Sequence, residues 1–189
     1  MKRFQKLATT VVFFLALLPR QVRPQATLQP LLNNGATAAR LNVVIFSEGY
    51  TSQELSKYSA DANTLLNKLL NTQPFKEYNS YFNAFAISVA SKESGSDHPS
   101  RNLFRDTFFN STYDSFGIQR LITISGAGRV RVDSLLQLLM PEYDIVLMIV
   151  NDPEYGGSGG FPAITSINIS APEIVVHEIG HSFAGLGDE

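Results

Sequence analysis

The sequence predicts an α/β fold: a twisted mixed sheet, a backing helix, and a second helix that carries the chemistry. Three observations predict it. Residues 41–46 and 144–150 are short apolar runs without polar alternation, as expected of strands covered on both faces. Between them, Leu55, Tyr58, Ala62, Leu65, Leu66 and Leu69 recur at helical spacing. Near the end, His177-Glu178-Ile179-Gly180-His181 sets two imidazoles one helical turn apart.

The elements follow in chain order. Lys2, Arg3 and Lys6 make a basic start, and residues 7–18 form an apolar run of twelve. That run is too short for a membrane span, and with the polar stretch to Ala26 it reads as a signal peptide over residues 1–26. Residues 27–189 are then one domain, expected outside the cytoplasm: secreted, periplasmic or at the cell surface. The leader holds five of the fifteen basic residues and no acidic ones, so the remainder has ten basic and seventeen acidic groups, a net of −7. That balance argues against nucleic acid or anionic lipid as partners. Without cysteine, no disulfide framework is available.

Strand 41–46 is followed by Thr51-Ser-Gln-Glu54, a capping box that opens a helix running to Asn71, before Pro74. Residues 81–90 alternate as a second strand. Residues 92–119 are polar and read as loop. A helix is predicted over 132–140, ending before Pro141, and 144–150 is the next strand. Residues 155–160 (Tyr-Gly-Gly-Ser-Gly-Gly) form a flexible loop, and 161–168, from Phe161 to Asn168, a short strand. Ser170-Ala-Pro-Glu173 is a second capping box, opening the last helix.

Spacing then becomes chemistry. His177 and His181 lie on one helical face where a single zinc ion can take both. Glu178 beside them can accept a proton from water. Gly185 can end the helix, so that Asp188, or alternatively Glu189, folds back as an oxygen ligand. Two His and one carboxylate, with a fourth position open for water, is a catalytic rather than a structural zinc arrangement. One zinc per chain is expected. The apolar neighbours Ile174, Val175, Val176, Ile179 and Phe183 predict a mostly buried helix, in which unpartnered histidines would be costly.

The order of elements is that of the upper half of a zincin peptidase. There, the strand before the active-site helix lies at an open sheet edge that can pair with a peptide substrate. Residues 161–168 are the candidate, their glycine-rich lead-in letting backbone approach backbone. The alternative is an ordinary loop and core strand.

The chain resembles the IgA-specific metalloendopeptidase family of secreted bacterial peptidases. The resemblance is carried by NVVIFSEGY (42–50), PFKEY (74–78) with Tyr81-Phe-Asn83, SKESGSDHP (91–99), PEYD (141–144), Asn151-Asp152 with 155–160, and 177–189. It implies a zinc endopeptidase with His177 and His181 as ligands and Glu178 as general base. In the related metzincins a glycine lies three residues after the second histidine and the third ligand six after it. Here Ala184 holds the glycine place, and Gly185 and Asp188 each come one residue later, as in the resembled family. Members continue beyond the Asp-Glu pair, so the chain is expected to lack the lower, C-terminal half of the domain and to be inactive as it stands. The rival expectation is a truncated, non-catalytic secreted binding module.

Two further residues stand out. His98, in a polar loop with Glu93 and Asp97, is expected to be solvated or to brace that loop, the alternatives being a role near the cleft or a calcium site from the carboxylates. Glu48, at a buried strand end, is expected to hydrogen-bond structurally.

Overall fold

The computed structural model describes residues 25–187. The predicted leader falls almost wholly outside them, as do Asp188 and Glu189.

The described chain is mixed α/β. Its strands are β1 (Thr27–Leu32), β2 (Leu41–Glu48), β3 (Phe82–Ser88), β4 (Ser111–Thr112), β5 (Thr123–Ile124), β6 (Ile145–Val150), β7 (Gly157–Ser158) and β8 (Ala163–Ser166). Its helices are α1 (Leu55–Leu70), α2 (Gly126–Leu139) and α3 (Ala171–Ala184). Six strands form one sheet in the order β1-β3-β2-β6-β8-β7. The four central strands are parallel, and both outer strands run antiparallel to their neighbours. β4 and β5 make a small separate pair.

Central strands carry apolar residues on both faces because both faces are covered. In β2, Val43 and Ile45 face one core with Leu147 and Ile149 of β6; α1 supplies Tyr58, Ala62, Leu65, Leu66 and Leu69, and α3 supplies Val175 and Ile179. Val44 and Phe46 face the other core with Val146 and Met148, against Val132 and Leu136 of α2 and Phe109, Tyr113 and Ile122. Each such large side chain contributes about 1.5–3 kcal/mol by leaving water. The backing helix and the His-bearing helix therefore pack on the sheet as the sequence predicts, and they share one face of it. Lys68 of α1 and Glu173 of α3 tie them with an ion pair of 3.0 Å. Among the described residues no helix is long and apolar enough to cross a membrane.

The sheet differs from the sequence expectation at both edges. β1 contains Pro30, and its register shifts there; proline is tolerated on an edge because no ladder donor is needed on the open side. β7 lies inside the expected flexible loop. Strand propensity cannot reveal it, because glycine is a poor strand former. Packing requires the glycine: a Cβ on Gly157 would lie 2.7 Å from the Ile164 carbonyl oxygen and 2.8 Å from Ile174 Cγ2. As a result 161–168 does not provide the sheet edge. β8 is flanked by β6 on one side and β7 on the other, with Gly157 opposite Thr165 and Ser158 opposite Ile164.

The capping boxes are also corrected. Glu54 Oε2 accepts from the Thr51 N–H at 2.9 Å, but the Thr51 hydroxyl donates to the same oxygen instead of capping the helix, which begins at Leu55. Glu173 pairs with Lys68, and Ser170 makes no side-chain cap; Pro172 in the first turn favours the start of α3. α2 begins six residues before the predicted 132, with Ser125 Oγ accepting from the Gly128 N–H at 2.9 Å. Gly126 and Gly128 hid that first turn, since glycine disfavours helix.

The 92–119 segment lacks long elements, as predicted, yet it is packed rather than solvated. Glu48, fully buried, accepts from Thr107 Oγ1 (2.6 Å) and from the backbone N–H groups of Phe109 and Ser111 (both 2.9 Å). Burial pushes its carboxyl above the usual range, and those donors pull against that shift. His98 is also buried. Its Nε2 lies 2.9 Å from Asp152 Oδ2, and its ring stacks on Tyr113 at 4.2 Å. Both residues brace the segment; for His98 the other expectation, a solvated side chain, does not hold. Asp97 and Glu93 accept from the backbone N–H groups of Arg105 and Asp106, a further brace and no cation cage.

Candidate active site

α3 is amphipathic, and each face has its own task. Ala171, Ile174, Val175 and Ile179 are buried. The opposite side borders an open cleft of about 1050 Å³, whose walls include Gly157, Ser158, Gly159 and Gly160 along with His177, Glu178 and His181. His177 is exposed, and Glu178 and His181 are half-buried. The expectation of a mostly buried helix therefore holds for one face only, and Phe183 is 45% exposed. The case for a metal thus rests on geometry rather than on the cost of burial.

That geometry is specific. The two imidazoles meet edge to face, centroids 4.5 Å apart and planes at 88°. Their Nε2 atoms converge to 2.9 Å. One ion at the usual zinc–nitrogen distance of about 2.0–2.1 Å can reach both. His181 Nδ1 lies 2.7 Å from the Leu186 carbonyl oxygen. A carbonyl only accepts, so Nδ1 donates, and the neutral ring presents its lone pair at Nε2. A ring nitrogen anchored on a backbone carbonyl is the usual support of a metal-binding histidine.

The helix end creates that support. Gly185 takes the left-handed conformation, φ +66°, which favours glycine. The Gly185 N–H then donates to the His181 carbonyl and the Leu186 N–H to the Gly180 carbonyl, each at 3.1 Å. The chain doubles back and presents the Leu186 carbonyl to the ring. Gly185 ends the helix as the sequence predicts; the bond to His181 had no signal of its own in the sequence.

Gly159 is the second contributor missed as an individual residue. A Cβ there would lie 2.5 Å from Glu178 Oε2 and 4.0 Å from His181 Cβ. The chain leaving β7 therefore rests on the carboxylate. Here the backbone lies close to a side chain. Gly159→Ala tests the contact. A methyl group must displace either Glu178 or the strand, and a misplacement of that size costs up to about a hundredfold in rate. We expect kcat to fall roughly ten- to a hundredfold with metal content unchanged; an undiminished kcat would show that the contact does not matter.

The donor set fits zinc in its chemistry: imidazole nitrogens with an oriented tautomer, next to a carboxylate that does not converge with them as a ligand. Among the described residues, no three His, Cys, Asp or Glu side chains form a metal-holding group. The expected third ligand, Asp188 or its alternative Glu189, lies outside them. His98 braces the 92–119 segment and is not part of the cleft wall.

Compared with known families, the model described as IgA peptidase M64 matches residues 29–189. No curated protein matches the chain.

Proposed function

The chain belongs to the IgA peptidase M64 family and is a peptidase by that membership, and from that premise we propose a zinc-dependent endopeptidase centred on His177, Glu178 and His181. The observation that carries the reading is the convergence of the two Nε2 atoms at 2.9 Å, with His181 Nδ1 held on the Leu186 carbonyl. His177 and His181 would hold the metal, with Asp188 as the proposed third ligand and Glu189 as the alternative. When bound, zinc supplies a Lewis acid that acidifies water and polarises a carbonyl oxygen.

The chain's own residues do the rest. Glu178 takes a proton from the attacking water. It returns that proton to the amine nitrogen as the C–N bond breaks, so one carboxylate serves both half-steps. The main chain at Gly159 lies close beside the carboxylate, where a Cβ would leave it no room. An extended peptide would lie along the rim at Gly159 and Gly160, pairing through main-chain hydrogen bonds and so tolerating varied side chains. This replaces residues 161–168 as the docking edge.

The test is metal dependence in the full-length protein. We expect one zinc per chain, loss of casein hydrolysis on chelation, and recovery on adding zinc. Hydrolysis that survives complete removal of metal would sink the proposal.

A further inference from the structure

Six arginines lie among the described residues, and five have partners. Arg40 donates to the Asn34 and Ala39 carbonyls. Arg101 pairs with Glu154 and Arg105 with Glu93. Arg129 donates to the Phe161 carbonyl, and Arg131 to Phe108 and Asn110. Arg120 alone among them makes no ion pair or side-chain hydrogen bond, and it is exposed on the wall of the cleft that holds His177, Glu178 and His181.

Its backbone, in contrast, is fixed. The Arg120 carbonyl accepts from the Gly157 N–H at 3.0 Å, and the Ile122 N–H donates to the Gly157 carbonyl at 3.3 Å. Ser158 Oγ donates to the Ile122 carbonyl at 2.6 Å. Residues 120–122 therefore close the outer rim of β7 at Gly157. A peptide can reach that rim only from Gly159 onward, and Arg120 stands on the wall of the same cleft. Of the carboxylates lining the cleft, Glu173 is engaged by Lys68 and Glu178 lies under Gly159.

We propose that Arg120 is a specificity-determining residue that receives a carboxylate of the peptide substrate. The inference rests on the peptidase reading of the same cleft. A guanidinium is planar, permanently charged and matched to a carboxylate through two parallel hydrogen bonds. Residues 27–189 carry a net charge of −7, from ten basic and seventeen acidic groups. Attraction of an acidic substrate is therefore local to this wall rather than a property of the whole surface. The carboxylate can belong to an Asp or Glu side chain or to a peptide C-terminus.

The test compares kcat/KM of the full-length, zinc-loaded protein on peptides blocked at both ends, in matched pairs with Glu or Gln at each position flanking the cut. A third arm gives the Gln peptide a free C-terminal carboxylate. The expected result is a preference of about tenfold for the carboxylate in one arm, the size of a charge-assisted hydrogen bond at a partly wet site. It should shrink at high salt. In Arg120→Gln the ratio should fall to about one, and Arg120→Glu should favour Lys at that position. The arm that responds identifies the source. Hydrolysis by the wild type without acidic preference, or a preference kept in Arg120→Gln, overturns the inference while the peptidase reading stands. Absence of hydrolysis of every peptide and of casein overturns both.

Discussion

Glu178→Gln is expected to abolish nearly all peptide hydrolysis while leaving the protein folded and its zinc bound. The substitution keeps the size and shape of the side chain, so the contact under Gly159 persists. It removes the one property the mechanism needs, a carboxylate that can accept a proton. General acid–base contributions amount to about a hundred- to ten-thousandfold, and the loss in kcat should fall in that range. The fold should not suffer, because Glu178 is half-buried at the cleft wall while the cores are built from other faces of α3. Three measurements separate the possibilities: steady-state hydrolysis, metal content, and circular dichroism. A variant keeping a tenth or more of the wild-type rate would assign proton transfer to another group. Loss of zinc together with activity would make Glu178 a ligand rather than a base.

Pairing this variant with Gly159→Ala separates chemistry from placement. Glutamine preserves position and removes basicity. Alanine at 159 preserves basicity and disturbs position, through a methyl that would otherwise sit 2.5 Å from Oε2. Gly159 does not require the left-handed conformation, so alanine is tolerated by the local backbone and the effect is steric.

Local signals were legible in the sequence wherever one segment decides its own structure. The central strands 41–46 and 144–150 were readable because burial on both faces leaves a continuous apolar run. α1 was readable because its apolar stripe is periodic, and the two histidines because i and i+4 share a face whatever surrounds the helix. Signals failed where a distant partner decides. β7 is a strand because Thr165 and Ile164 pair with it and because only glycine fits beneath Ile174. Glu173 had the spacing of a capping box, yet Lys68, over a hundred residues earlier, claims its carboxylate. The segment 92–119 looked solvated because its anchors are single residues, Glu48 and Asp152, supplied by other parts of the chain. Composition cannot announce such long-range hydrogen bonds.

His181→Ala is expected to cost more than any other single change at the site, because His181 has two jobs. Its Nε2 converges with that of His177, and its Nδ1 holds the returning chain at Leu186. Alanine removes a metal donor and the anchor of the helix-ending turn together. Loss of a supporting partner alone typically costs ten- to a hundredfold in metal affinity, so losing the ligand itself should cost about a hundredfold or more. Hydrolysis should fall in parallel, since His177 and one carboxylate make a weak, open site. A competitive chelator titration reads the affinity directly, and circular dichroism should report an intact fold, because Ile174, Val175 and Ile179 still seat the helix. The contrast with Glu178→Gln is the sharper test: one variant should be metal-poor and inactive, the other metal-loaded and inactive. If His181→Ala binds zinc as tightly as the wild type, the metal does not sit between these two histidines, and the proposed centre is wrong even if the protein cleaves peptides.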